Sequence, residues 1–245
     1  MVLEIPWTAK VSAPYDSYST ARYPLGMRLT APDGREWVFG LNGAVLAAAG
    51  SVYQALVPVA AYDDLVVTAT AAAATTVNVT TGATAFTLNQ FTGGYLIPQD
   101  DAGEGYVYGV KDHAAIGTTT AGDINLTSGL EVAFTSATTV LMLEHPMSKV
   151  IIHPSPATGL LVGVAASAIA ASEYGWFQTR GIGSVLTVGT VVINEAVTDS
   201  LTVDGGVDAH LLVEGTPNTG GGQRIVGHVA EVAATGEYSA IDLRL

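Results

Sequence analysis

Cysteine is absent from the 245 residues. Disulfides, thiolate metal sites and cysteine nucleophiles are therefore excluded. Charge is scarce: ionisable Asp, Glu, Lys and Arg make up 13% of the chain, about half the usual quarter. A chain so apolar has either little free surface or surface that partners cover. Basic residues are fewest of all, 9 against 22 acidic ones, for a net charge of −13. Nucleic acid and anionic membrane surfaces repel such a chain unless its bases cluster, and they do not. Neither is an expected partner. Long apolar runs are missing as well. The most apolar stretch, "GLLVGVAASAIAAS", covers only 159–172, short of the roughly 18–20 residues of a spanning helix. The opening "MVLEIPWTAK" has neither the basic nor the apolar region of a secretory leader, so none is expected. Long amphipathic helical patterns and fixed-period repeats do not occur.

What the sequence does contain is strand and turn. "MRLTAPDGREWVFGL" sets apolar alternation on both sides of Pro-Asp-Gly, a hairpin signal. The stretch 42–62 mixes an alanine run with Gly43, Gly50 and Pro58, and reads as strand and loop with room for one short helix. Residues 64–97 alternate Thr with small apolar residues. Val77–Thr80 and Phe86–Asn89 both have the period of two that marks a strand. Further strands follow "GEGYVYGVKDHAAI" and "DINLTSGLEVAFTSATTVLMLEHP", with turns at Ser128-Gly129 and Ser136-Ala137. The prolines of "HPMSKVIIHPSP" bracket a short strand at 150–152. They mark a boundary near residue 155, because proline does not sit in a central ladder. Beyond it turns recur every 8–12 residues up to "AHLLVEG", "QRIVGHVAEVA" and "EYSAIDLRL", the spacing of a sandwich or barrel. The expected fold is all-β with little helix. An extended N-terminal arm (1–23) precedes a first β module (24–154) and a second (155–245).

The arm, with Pro6, Pro14 and Pro24, has no sustained period. Its aromatics, Trp7, Tyr15, Tyr18 and Tyr23, are too dispersed to form a core of their own. Either they dock on a neighbouring subunit or the arm folds back on its own domain.

Catalytic signatures are missing. No histidine among His113, His145, His153, His210 and His228 stands two to four residues from another, so no local zinc spacing exists. His145 and His153, beside prolines, read as loop residues. "PQDDAGEGY" gathers Asp100, Asp101 and Glu104 without calcium-loop spacing, and reads as a solvated turn. "GGGQR" precedes a strand where a phosphate cradle needs a helix. No G-x-S-x-G elbow occurs. No metal, cofactor or catalytic residue is assigned, and a non-enzyme is expected.

The densest aromatic stretch is "ASEYGWFQTRGIGSVL" (170–185). In an extended strand Tyr174, Trp176 and Gln178 share one face, and Phe177 lies on the other. Aromatics on both faces predict a strand covered on both sides. Gly181 and Gly183 allow a bulge, and Gln178 is placed to bond a neighbouring backbone. "GVAASAIAASEYGWFQTRGIGSVL", with "GYVYGVKDHAAI", "INLTSGLEVAF" and the tail "RIVGHVAEVAATGEYSAIDLRL", resembles virion proteins of tailed, cyanophage-like bacteriophages. Two positions depart from that pattern: Glu173 where glycine is frequent, and Phe177 where valine is. The resemblance covers about 94–245. It implies a capsid decoration (cement) protein that binds the outside of the head, often as a homotrimer, with the major capsid protein as partner. The strand bearing Tyr174, Trp176 and Gln178 is then scaffold, and the arm aromatics are the expected subunit or capsid contacts. Synthesis in the host cytoplasm and residence on the capsid exterior follow from the same resemblance. The other readings are a different virion component (major capsid, tail or baseplate protein) and a glycan-binding adhesive module.

Overall fold

The computed structural model describes the backbone of residues 2–4, 13–210 and 224–245. Trp7, most of the "AHLLVEG" strand and the glycines of "GGGQR" lie outside the described residues. Among those described the fold is all-β, with helical turns only at Ala13–Tyr15 and Ala60–Tyr62.

Two compact units divide the chain, but not at residue 155. One holds residues 1–57 and 146–245, the other 58–145. The chain enters the first unit through β1 (Val2–Glu4), β2 (Arg28–Thr30), β3 (Glu36–Asn42) and β4 (Val52–Gln54). It makes the second unit from β5 (Leu65–Val66), β6 (Thr76–Thr80), β7 (Tyr95–Asp100), β8 (Tyr108–His113), β9 (Ala121–Leu126) and β10 (Thr139–Leu143). It then returns through β11 (Ser148–Ile152), β12 (Leu161–Ala165), β13 (Tyr174–Leu186), β14 (Ala196–Asp199), β15 (Val207–Ala209), β16 (Ile225–Glu231) and β17 (Tyr238–Arg244).

The proline-flanked strand expected to mark the boundary is central instead. β11 pairs with β3 on one side and with β4 on the other. The reason is positional. Pro146 and Pro154 stand just outside Ser148–Ile152, so neither takes a donor away from the ladder.

The second unit is an antiparallel barrel. Its sheet runs β5-β10-β7-β8-β9-β6, and the Val67–Val79 bridge joins the last strand to the first. β6 shows why the sequence alternates. Val77 and Val79 enter the core, where Phe86, Phe91, Leu96, Ile124 and Met142 meet them. Asn78 turns outward and donates to Asp123 across the ladder at 2.8 Å. The strand expected at Phe86–Asn89 shrinks to one bridge, Phe86–Ile116. Asn89 takes φ 56°, and Gln90 Oε1 accepts the Thr87 N–H, so the chain turns where alternation alone would carry it straight on.

In the first unit β3 pairs β2 across the "APDG" turn as expected, with Gly34 at φ 85°. Strands β3, β11, β4, β12 and the first half of β13 close on themselves, because β13 pairs with both β12 and β3. The second half of β13 leads a further sheet, β17-β16-β14-β15. A Thr187–Val207 bridge brings β15 back beside the end of β13. Val185, Val197, Val226, Val229, Ile241 and Leu243 form the core there.

Candidate functional site

β13 is the spine of the first unit. Trp176 and Phe177 are both fully buried, one on each face. Phe177 joins Tyr53, Val150 and Ile169. Trp176 joins Trp37, Phe39 and Leu29. The strand is covered on both sides, as its aromatics predict. Gln178 donates its amide to the carbonyls of Arg180 and Ile182, each at 3.0 Å. That side chain fastens the bend at Gly181, which takes φ 76°. The bend is what lets one strand serve two ladders.

The arm aromatics are split. Tyr18 and Tyr23 are half-buried against their own chain. Tyr18 pairs with Tyr174 through two backbone hydrogen bonds, at 2.8 and 2.9 Å. Tyr23 stands edge-on to Phe39 at 5.3 Å. Burial and the nearby Asp16 carboxylate raise the Tyr18 hydroxyl pKa above its ordinary value. Tyr15 is half exposed and accepts from Arg35 at 3.5 Å. Of the two readings of the arm, residues 14–23 follow the folded-back one. The Tyr18 and Tyr23 rings pack against the Trp176 cluster while keeping part of their surface exposed.

His113 and His153 are held by backbone groups, whereas His210 Nδ1 and His228 Nδ1 are buried without a hydrogen-bond partner among the described residues. His113 Nε2 accepts the Phe91 N–H and its Nδ1 faces the Ala114 carbonyl, at 3.1 and 2.7 Å. His153 lies outside any strand, as expected beside a proline, yet it is fully buried between the carbonyls of Pro154 and Gly206. Burial holds the His145 pKa below the usual imidazole range. Asp100 and Glu104 are exposed. Asp101 accepts from Thr135 Oγ1, and that bond holds its carboxyl below the usual range. Among the described residues no three His, Asp or Glu side chains converge as metal ligands.

The surface feature that stands out was not singled out in the sequence. Loops 43–49 and 166–172 lie side by side. Ala47 and Ile169 exchange backbone hydrogen bonds at 2.8 and 3.1 Å, and Ser172 N–H reaches the Gly43 carbonyl at 2.8 Å. Asn42, only 2% exposed, donates to the carbonyls of Val45, Ile169 and Ala170. The result is a fastened platform that exposes Val45 at 75% and Leu46 at 63%, beside exposed Ala44, Ala48, Ala168, Ala170 and Ala171. Neither loop contains an ionisable residue. The signal was present in "GAVLAAAG" and "AASAIAAS", but a run of small apolar residues reads equally well as buried strand.

No protein family, curated protein or solved structure matches this chain.

Proposed function

We propose that the chain is a structural, non-enzymatic virion protein. In this reading it is a capsid decoration protein that seats on the outer face of a tailed-phage head and stabilises it by bridging capsomers. The major capsid protein is its partner, and copies associate as a homotrimer. The observation that carries the reading is the uncharged platform of loops 43–49 and 166–172. Apolar side chains held out from fastened loops lose little further freedom on docking. Covering a Val and a Leu contributes about 1.5–3 kcal/mol each. A net charge of −13 meanwhile favours solubility at high concentration.

The test is co-sedimentation with cognate expanded heads that lack the protein. Wild type is expected to pellet with the heads, and the double variant Val45→Glu, Leu46→Glu to stay in the supernatant with unchanged circular dichroism. Wild type that fails to bind heads overturns the function. A charged variant that binds as well as wild type removes the platform from it. Light scattering after size exclusion reads the trimer separately.

A further inference from the structure

Beside the bend in β13 lies a groove of about 660 Å³, bordered by Tyr15, Arg35, Gln178, Ile182, Ser184 and Tyr238. Its size suits a small ligand rather than a folded partner. Four observations narrow the ligand class.

The first is an acceptor that the described residues leave open. Gln178 is only 7% exposed, and its amide N–H groups are committed to the carbonyls of Arg180, Gly181 and Ile182. Its Oε1 receives no hydrogen bond among the described residues, and Gln178 borders the groove. A carbonyl oxygen held in place by its own amide group's bonds is a fixed acceptor for a ligand hydroxyl.

The second is the pair of half-exposed aromatic rings, Tyr15 and Tyr238. Tyr238 is pre-positioned: Gly50 takes φ 75°, and a Cβ there would stand 2.5 Å from the ring. The absent side chain lets the ring lie against the backbone.

The third is charge. Among the described residues Arg35 is the only ionised side chain bordering the groove. Its Nε donates to Asp33 Oδ2 at 2.8 Å, and its guanidinium lies 5.1 Å from the Trp37 ring centre. Hydrogen bonds from Arg35 outweigh burial and hold the Asp33 carboxyl below its ordinary pKa. The cation is therefore neutralised in place but keeps N–H groups to donate.

The fourth is the state of the backbone. β13 and β17 are paired from Arg180–Arg244 to Leu186–Tyr238, so this wall presents no free edge on which an extended peptide could add a strand. Recognition must come from side chains.

We infer that this groove binds a neutral saccharide of one or two pyranose units. A sugar hydroxyl donates to Gln178 Oε1. Arg35 and the Ser184 hydroxyl serve ring and hydroxyl oxygens, and the apolar face of a pyranose lies on a tyrosine ring. The inference is independent of capsid binding, and Val45 and Leu46 do not border the groove.

The test is saturation-transfer NMR of the full chain with maltose, cellobiose, lactose and N,N′-diacetylchitobiose at millimolar concentration, a range natural to so small a site. Transfer to at least one of these sugars is expected. Tyr238→Ala removes a platform ring. Ser184→Trp, at an exposed position, fills the groove without touching a core. Weakening by about tenfold or more in either variant, with wild-type circular dichroism, supports the site. Binding that persists undiminished in both variants, or no transfer to any of the four sugars, overturns it.

Discussion

Asn42 illustrates how one side chain decides a surface. It ends β3, and its amide group holds three carbonyls of two loops. Asn42→Ala leaves those carbonyls without that donor. A loss of about 2–3 kcal/mol is expected, from more than one buried hydrogen bond, and urea denaturation measures it. His145 makes a prediction of a different kind. Burial lowers its pKa from 6.5, so below that value the unfolded chain holds a proton the folded one refuses. The stability tied to His145 is therefore complete above about pH 6.5 and declines as pH falls through the lower folded value. His145→Gln is expected to flatten the pH dependence of the melting temperature on the acid side of neutrality, as calorimetry will show. An unchanged slope removes His145 as its cause. The role of Gln178 was legible in the sequence, because a polar residue between buried aromatics must satisfy itself on nearby backbone. The role of Asn42 was not. Its acceptors on 169 and 170 are more than a hundred residues away, and no local pattern encodes them.

At the scale of the element, β13 binds several cores into one. Its halves face different clusters, with Trp176 and Phe177 in two of them and Val185 in a third. Trp176→Ala empties a fully buried site and is expected to cost about 3–5 kcal/mol. Because the strand is shared, the whole first unit is expected to lose stability together, in a single transition. Hydrogen exchange that loosened only the amides around Trp37 and Phe39 would contradict this. Strands and tight turns were readable one by one, since alternation and Pro-Asp-Gly are local. Their order was not. β3 pairs with β2, β11 and β13, and only the first of these partners is adjacent in sequence. The 150–152 strand is legible but its central place is not, because flanking prolines mimic the marks of an edge.

For the whole molecule the lesson concerns the boundaries. All-β architecture and two modules were both legible from composition and turn spacing. The division was not, because the second unit interrupts the first. The interruption falls between two strands that pair directly: Gln54 lies opposite Ile151 and Tyr53 opposite Ile152. Residues 58–145 have their own core and a sheet closed by its own bridge. Expressed alone, this segment is expected to fold, with a β-type circular dichroism spectrum and a cooperative melt. An unfolded product would show that its barrel depends on the rest of the chain.

The pairing of β4 with β11 has a mechanical consequence. Both ends of the inserted segment leave from neighbouring positions on one antiparallel ladder. A pull on that segment therefore opens the ladder rung by rung, like a zipper, rather than loading all its hydrogen bonds at once in shear. In a force experiment the first event should be a low-force yielding at Gln54–Ile151. The same two neighbouring exits make this junction a natural splice point for foreign cargo whose own ends lie a strand's width apart.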